Sequence, residues 1–372
     1  MDDWCDCTLG DFVTLKRGYD LPKQNRRKGI FPILSSSGIS GFHDEYMVPS
    51  NGVVTGRYGT IGEVFYCIGP HWPLNTTLFV DNFNGNDKKF VYYLMKTINW
   101  KGFSIASAVP GINRNHVHTI PVHVPSIKTQ RIIAATLSAL DDKIENNNRI
   151  NHHLEQIAQA IFKSWFVDFE PWGGVIPDDW CLGILSDLLQ LVKQPVKAGE
   201  QPGLYYVPID TIPMRSLALN DFRPNNEAQS SLIAFTKNDV LVGAMRVYFH
   251  RVSIAPFDGI TRTTCFVLRP RDTTYIEYSL LLCNEDNTIE YAQNTSKGST
   301  MPYAVWENGL ANMPILIPTS YVLREFSEML RPVIHWLRDS IFETHNLKTL
   351  RDTLLPRLLS GELTLSDLTD VS

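Results

Sequence analysis

Residues 128–166 read KTQRIIAATLSALDDKIENNNRINHHLEQIAQAIFKSWF, and this stretch decides the fold. Ile133, Leu137, Leu140, Ile144, Asn147, Asn151, Leu154, Ala158, Ile161 and Trp165 step by alternating fours and threes. That spacing draws a seam along one side of a helix, and apolar side chains at most of its positions ask for a partner helix. At 1.5 Å per residue the rod is roughly 58 Å long, longer than a small domain is wide. The chain supplies the partner itself. Over residues 323–359 an offset of 197 sets Leu330, Ile334, Leu337, Ile341, Leu347, Leu354 and Leu358 against Ile133, Leu137, Leu140, Ile144, Ile150, Ile157 and Ile161. Two matching seams in one chain are expected to pack on each other as a coiled coil, with Asn147 and Asn151 fixing the register. Pro332 and Pro356 are expected to kink or interrupt the second helix, and Gly361 to stop it.

Working outward, the rest of the chain also repeats. Asp2-Asp3-Trp4-Cys5 recurs as Asp178-Asp179-Trp180-Cys181, 176 positions on. Asn51-Gly52-Val53-Val54-Thr55-Gly56 resembles Asn238-Asp239-Val240-Leu241-Val242-Gly243 at 187, and Ile120-Pro121-Val122 resembles Met313-Pro314-Ile315 at 193. An offset that grows in order means one plan used twice, with insertions in loops of the second copy. Each copy opens with a Gly-, Pro- and aromatic-rich region. Its short β-type runs are Gly52–Thr55, Thr77–Val80, Asp239–Val242 and Cys265–Leu268, and short helices are expected near Phe90–Thr97 and Ile276–Cys283. The fold class is α+β: two pseudo-repeated mixed α/β domains separated by two long helices. The boundaries fall at 1–126, 127–172, 173–319 and 320–372.

With 372 residues, 44% of them hydrophobic and 20% charged, the chain has material for several real cores and is neither fibrous nor disordered. No window approaches a membrane span. Cys5, Cys7, Cys67, Cys181, Cys265 and Cys283 form no CxxC pair, so reduced thiols and a cytoplasmic setting are expected. The net charge of -5 does not suit a purely electrostatic nucleic-acid binder. The balance is uneven, however: net +2 over residues 1–126 and net -4 over 173–319.

The segment Leu140-Asp141-Asp142-Lys143-Ile144-Glu145-Asn146-Asn147-Asn148-Arg149-Ile150-Asn151, running on to Ala160-Ile161-Phe162-Lys163-Ser164-Trp165-Phe166-Val167-Asp168-Phe169, resembles the central conserved region of type I restriction–modification specificity subunits. Leu354-Leu355-Pro356-Arg357-Leu358-Leu359-Ser360-Gly361-Glu362-Leu363 is similar to their C-terminal conserved region. Pro177-Asp178-Asp179-Trp180 resembles the opening of a target-recognition domain; the first copy lacks the leading proline. The resemblance implies two target-recognition domains, each reading half of a split asymmetric DNA target, and an antiparallel helix pair between them. It also implies docking of two modification (methyltransferase) and two restriction (motor-endonuclease) subunits. The complex, not this chain, would use S-adenosylmethionine, ATP and Mg.

The residues agree that the chain carries no chemistry of its own. There is no Asn-Pro-Pro-Tyr tetrapeptide and no GxxxxGK[ST]. Gly56-Arg57-Tyr58-Gly59-Thr60-Ile61-Gly62 is GxxGxxG and reads as a tight turn rather than a cofactor loop. His116 and His118 lack a third metal ligand. Neither a catalytic, a cofactor nor a metal site is expected.

Base reading needs directed donors and acceptors. In the first copy Ser35, Ser36, Ser37, Arg57, Tyr58, Asn75, Asn113, Arg114 and Asn115 fit; in the second, Arg215, Arg246, Tyr248, Arg251, Arg262, Lys297, Ser299 and Asn308. Lys16, Arg17, Lys23, Arg26, Arg27 and Lys28 suit phosphate contact. Two rival readings differ in what they would show. A stand-alone DNA methyltransferase would transfer methyl groups unaided. A protein-only coiled-coil scaffold would ignore DNA in assembled form.

Overall fold

The structure, a computed structural model, describes residues 4–105, 111–200, 203–219, 221–229 and 231–363. The chain divides into two compact units, residues 1–143 with 347–372, and residues 144–346.

The first unit opens with the strand Cys5–Thr8, antiparallel to Pro121–Val124. A capping box ends it: the Thr8 hydroxyl accepts the Asp11 N–H at 3.2 Å and the Asp11 carboxylate accepts the Thr8 N–H at 3.0 Å. A four-stranded antiparallel sheet follows in the order Thr14–Arg17, Thr77–Asn82, Gly52–Gly56, Val64–Cys67. The strand Gly52–Gly56 is buried along its whole length, as a central strand rich in β-branched residues should be. A smaller sheet joins Gly38–His43, Phe31–Ser35 and Trp72–Pro73. The helix Lys88–Thr97 begins where the Asp87 carboxylate accepts the N–H groups of Lys89 and Phe90, and it lays Phe90, Val91, Leu94 and Met95 on the core.

The second unit repeats this order. Cys181–Ile184 pairs with Pro314–Ile317, and a four-stranded sheet runs Leu189–Leu191, Cys265–Pro270, Val240–Gly243, Val252–Ile254. Corresponding strands lie 176 positions apart at Cys5 and Cys181, 187 at Gly56 and Gly243, 188 at Thr77 and Cys265, and 193 at Pro121 and Pro314. The smaller sheet has grown from three strands to five, including Tyr205–Tyr206 and Arg223–Pro224, and this is where most of the inserted residues sit. Helices Ile276–Asn284 and Asp286–Asn294 close the unit.

The two long helices are Ile127–Phe166 and Ser320–Leu359, 40 residues each. Neither Pro332 nor Pro356 interrupts the second helix, contrary to expectation. Both rings face solvent, where water can satisfy the carbonyls their missing N–H groups leave free. Gly361, at φ +73, follows the last turn as its stop.

Within residues 144–346 the helices run antiparallel. The Asn147 amide donates to Glu343 Oε2 at 2.8 Å and to Thr344 Oγ1 at 3.5 Å, and the Ser340 hydroxyl donates to Asn151 Oδ1 at 3.1 Å. Within the other unit Arg351 donates to Asp141 at 2.8 Å. The helices are not a free-standing rod. Ile133, Ala134, Leu137, Leu358 and Leu359 belong to the same apolar core as Leu9, Val53 and Phe90. Ala158, Phe162, Phe166, Leu330, Ile334 and Leu337 share theirs with Leu185, Val240 and Leu268.

Two details of the seam differ from the sequence reading. First, the equivalence between the helices is 193 and not 197. Buried Ile133, Leu137, Ile144, Asn147 and Asn151 correspond to buried Phe326, Leu330, Leu337, Ser340 and Thr344. A slip of four residues is little more than one helical turn, so the apolar pattern still matched after it. Second, beyond Asn151 the buried positions are Glu155, Ala158, Phe162 and Phe166, while Leu154, Ile161 and Trp165 are only half-buried against the core. A straight helix drifts about 20° per heptad away from a 3.5-residue repeat, and here it follows its own 3.6.

Candidate nucleic-acid interface

In the first unit the GxxGxxG segment is the turn joining Gly52–Gly56 to Val64–Cys67, closed by the Gly56 N–H donating to the Glu63 carbonyl at 3.1 Å. Backbone bonds gather three other segments around it. The N–H groups of Arg57 and Tyr58 both donate to the Thr76 carbonyl, at 2.9 and 3.1 Å, and the Ile112 N–H donates to the Arg57 carbonyl at 3.1 Å. The Arg57 guanidinium returns a bond to the Ile112 carbonyl at 3.2 Å and lies 4.5 Å over the Tyr58 ring. Gly111 must be glycine, because a Cβ there would stand 2.1 Å from the Tyr58 ring. Gly59, at φ +79, lies against the Ser36 hydroxyl.

Ser36, Arg57, Tyr58, Asn75 and Asn113 are thereby brought into one neighbourhood. Ser35 and Ser37 belong to the adjoining turn, where the Ser35 hydroxyl donates to the Gly38 carbonyl at 2.9 Å. The Asn75 amide donates to the Asp20 carboxylate, and Arg17 lies 3.7 Å from the same oxygen. Asn113 caps the helix Arg114–His118 by accepting the Asn115 N–H at 3.0 Å. The phosphate candidates are less free. Asp81 binds Lys16 at 2.8 Å and holds its ammonium above the usual lysine value. Arg27 is gripped by Asp44 at 2.7 Å and Glu45 at 2.6 Å. Arg26 reaches the carbonyls of Leu21 and Ser40, Lys23 lies in a short turn, and Lys28 is exposed.

The second unit builds the same place from different side chains. Met245 bridges to Tyr303 as Tyr58 bridges to Gly111, so the aromatic ring has changed sides. The Arg246 N–H donates to the Pro302 carbonyl at 2.8 Å, and Lys297 and Tyr303 exchange backbone bonds of 2.9 Å that close the loop holding Ser299. The Arg215 N–H donates to the His250 carbonyl at 2.8 Å, while its guanidinium lies 3.0 Å from Asp286. Arg251 donates to the Ile212 carbonyl. Arg215, Arg246, Tyr248, Arg251, Lys297 and Ser299 therefore converge. Arg262 stands on a strand of the five-stranded sheet, and Asn308 in a separate turn at φ +57. Beside the turn lies an apolar groove of about 400 Å³ between Met245, Phe266, Tyr303 and Trp306.

Three residues here escaped the sequence reading. Phe249 and Tyr303 are exposed aromatics flanking the arginines. Their signal was their place in Arg246–Arg251 and after Pro302. Glu155 is a buried carboxylate that fixes the nearby loop by accepting from the Ser216 hydroxyl and the Leu217 and Ala218 N–H groups at 2.7–2.9 Å. Among the described residues no three metal-ligating side chains stand together, and no helix is long and apolar enough to cross a membrane.

A duplicated α/β module, joined through two long paired helices and presenting the same turn twice with different side chains, is the build of a two-part recognition protein. Residues 1–156 match the family model of the type I restriction modification DNA specificity domain. The chain is 26% identical over 317 residues to the type I restriction enzyme MjaIX specificity subunit of Methanocaldococcus jannaschii, covering 77% of this chain and 71% of that one. It is 23% identical over 344 residues to the HindI specificity subunit of Haemophilus influenzae, covering 70% and 72%. In fold it resembles the crystal structure of a type I restriction–modification S subunit from M. genitalium, with a TM-score of 0.67, 15% identity and 96% of each chain covered. Residues 1–156 thus resemble a type I restriction modification DNA specificity domain, and most of the chain is similar to type I restriction enzyme specificity subunits.

Proposed function

We propose that the chain is the DNA-reading subunit of a type I restriction–modification complex, without catalysis of its own. Residues 1–126 and 173–319 each read one half of a bipartite target, and residues 127–172 and 320–372 form the helical part on which modification and restriction subunits dock. The observation that carries this is the turn built twice. Arg57 and Tyr58 occupy in one copy what Ala244 and Met245 occupy in the other, just past the same strand and with the same bridge. One scaffold with two sets of donors, acceptors and rings suits two different half-sites, so the target is asymmetric. S-adenosylmethionine, ATP and Mg belong to the docked subunits, two of each kind, and the complex works in the cytoplasm.

The site residues act in two ways in this reading. Arg57, Asn75, Asn113, Lys297 and Ser299 address base edges. Lys16, Arg17, Arg26 and Arg27 address phosphates, with Lys16, Arg17 and Arg27 exchanging carboxylate partners, and Arg26 backbone carbonyls, for the DNA backbone. Methylation mapping of host DNA with and without the gene tests it: a bipartite methylated motif should vanish with the gene. Exchanging residues 1–126 for another such module should change one half of that motif and leave the other. A motif unaffected by deletion, or altered in both halves by the exchange, would overturn the proposal.

A further inference from the structure

The connection from Val240–Gly243 to Val252–Ile254 is conformationally costly. Arg246 and His250, at φ +50 and +51, bracket the short turn Val247–Phe249 in the left-handed region that favours glycine. The first copy makes the equivalent turn with Gly59 and Gly62, at φ +79 and +92. The second copy thus keeps the backbone course and accepts the strain in order to carry side chains there. At its tip Tyr248 is 45% exposed and Phe249 37%, their ring centroids 5.0 Å apart and edge to face, above a buried Val247. Arg246 precedes the pair, Arg251 lies 5.9 Å over the Phe249 ring, and Arg215 bonds to the turn's far end. The first copy has Thr60 and Ile61 at this place, and Ile61 packs down on its core.

We propose that Tyr248 and Phe249 form a wedge that enters the base stack of the half-site read by the second copy. It unstacks one step and bends the duplex there, while Arg246, Arg251 and Arg215 hold the flanking phosphates. This rests on the DNA-reading function proposed above and adds a deformation to it. An exposed aromatic pair flanked by three arginines, with Arg215 exchanging Asp286 and Arg251 the Ile212 carbonyl for phosphate, matches the two surfaces a base step offers, a flat apolar face and a charged rim. Only one half-site is deformed, because only one copy has the rings.

The test uses the complex assembled with its modification subunits. Duplexes carry 2-aminopurine at successive positions of each half-site, away from the methylated base. Binding should brighten the probe at one step of the second half-site and at none of the first. The double variant Tyr248→Ala with Phe249→Ala should abolish that brightening and weaken specific binding tenfold or more, while the footprint on the first half-site persists. Tyr248→Trp should keep both. Brightening that survives the double alanine variant would overturn the wedge, as would bound wild type without brightening. A double variant that fails to assemble with the modification subunits while the free chain stays folded would also overturn it, and would place the rings at a protein contact. Absence of any sequence-specific binding by the wild-type complex would instead sink the DNA-reading function itself.

Discussion

Arg269 clasps Asp239 through two parallel hydrogen bonds of 2.7 Å each, and Asp239 is 1% exposed. The same carboxylate accepts the Thr236 N–H at 2.7 Å, so it enters the strand Val240–Gly243 fully bonded. Removing one partner of such a pair strands a buried charge. Arg269→Met should destabilise the chain by about 3 kcal/mol, the low end for such pairs because the Arg269 side chain is 33% exposed. Denaturant melting checks this; an unchanged midpoint would show the clasp to be idle.

Glu155 should hold the loop that carries Arg215. Its carboxylate takes two backbone N–H groups and a hydroxyl in a buried setting, and hydrogen bonds to a charged group are worth about 1.5–3 kcal/mol. Glu155→Gln should speed hydrogen exchange at the Leu217 and Ala218 amides by tenfold or more without unfolding the sheets. Equal exchange in both proteins would mean the loop is held by other contacts.

Acid should loosen the first unit. The Leu15 N–H donates to His118 Nε2 at 3.0 Å, which requires that nitrogen to be unprotonated. Burial, and then the Arg114 charge, hold His118 below its usual value of 6.5; burial lowers His71 in the same way. The unfolded chain therefore binds more protons than the folded one below about pH 6.5. Stability from these groups is present above that pH and is lost as pH falls toward the lowered folded values. Melting temperatures at pH 7.5 and 5.5 should show the loss. His118→Gln, which still offers an oxygen but does not titrate, should shrink it, and an undiminished loss would clear His118.

Leu137 is fully buried in the core shared by Phe90, Leu358 and Leu359. Leu137→Ala should cost about 2–5 kcal/mol by calorimetry or denaturant melting. Ile157→Ala, at a position 49% exposed, should cost under about 0.5 kcal/mol. Similar costs at the two positions would mean that the assigned helix face is wrong.

The contrast between Leu137 and Ile157 also marks how far the sequence could be read. Apolar spacing exposed the helices, and the order of matching segments exposed the duplication, because both are periodic signals. Register was harder. Ile161 and Phe162 are both apolar, and only the accumulated drift of a straight helix decides that Phe162 turns inward. The residues around the turn at Arg57 were chosen by side-chain chemistry. What gathers them is main-chain bonding from Thr76 and Ile112, to which side-chain identity is nearly blind. Arg27 was legible as a cation, but its carboxylate neighbours at Asp44 and Glu45 come from a separate strand end and its following turn. Glu155 looked like one more solvated charge on a helix, since nothing local announces the three donors that meet it.

The bonds Asn147–Thr344 and Asn151–Ser340 carry a consequence of their own. At the offset of 193, Asn147 corresponds to Ser340 and Asn151 to Thr344, so interchanging the copies turns each bond into the other. A contact that is its own image under exchange is isologous, the kind by which two identical chains make a closed dimer. A half-length protein with one module and one helix would already possess such a contact, and as a dimer it could read only palindromes. Fusing two such halves into one polypeptide releases them from being identical. The glycines at 59 and 62, answered by Arg246 and His250, show what that freedom permits: one copy stays plain while the other takes on side chains its twin never needed.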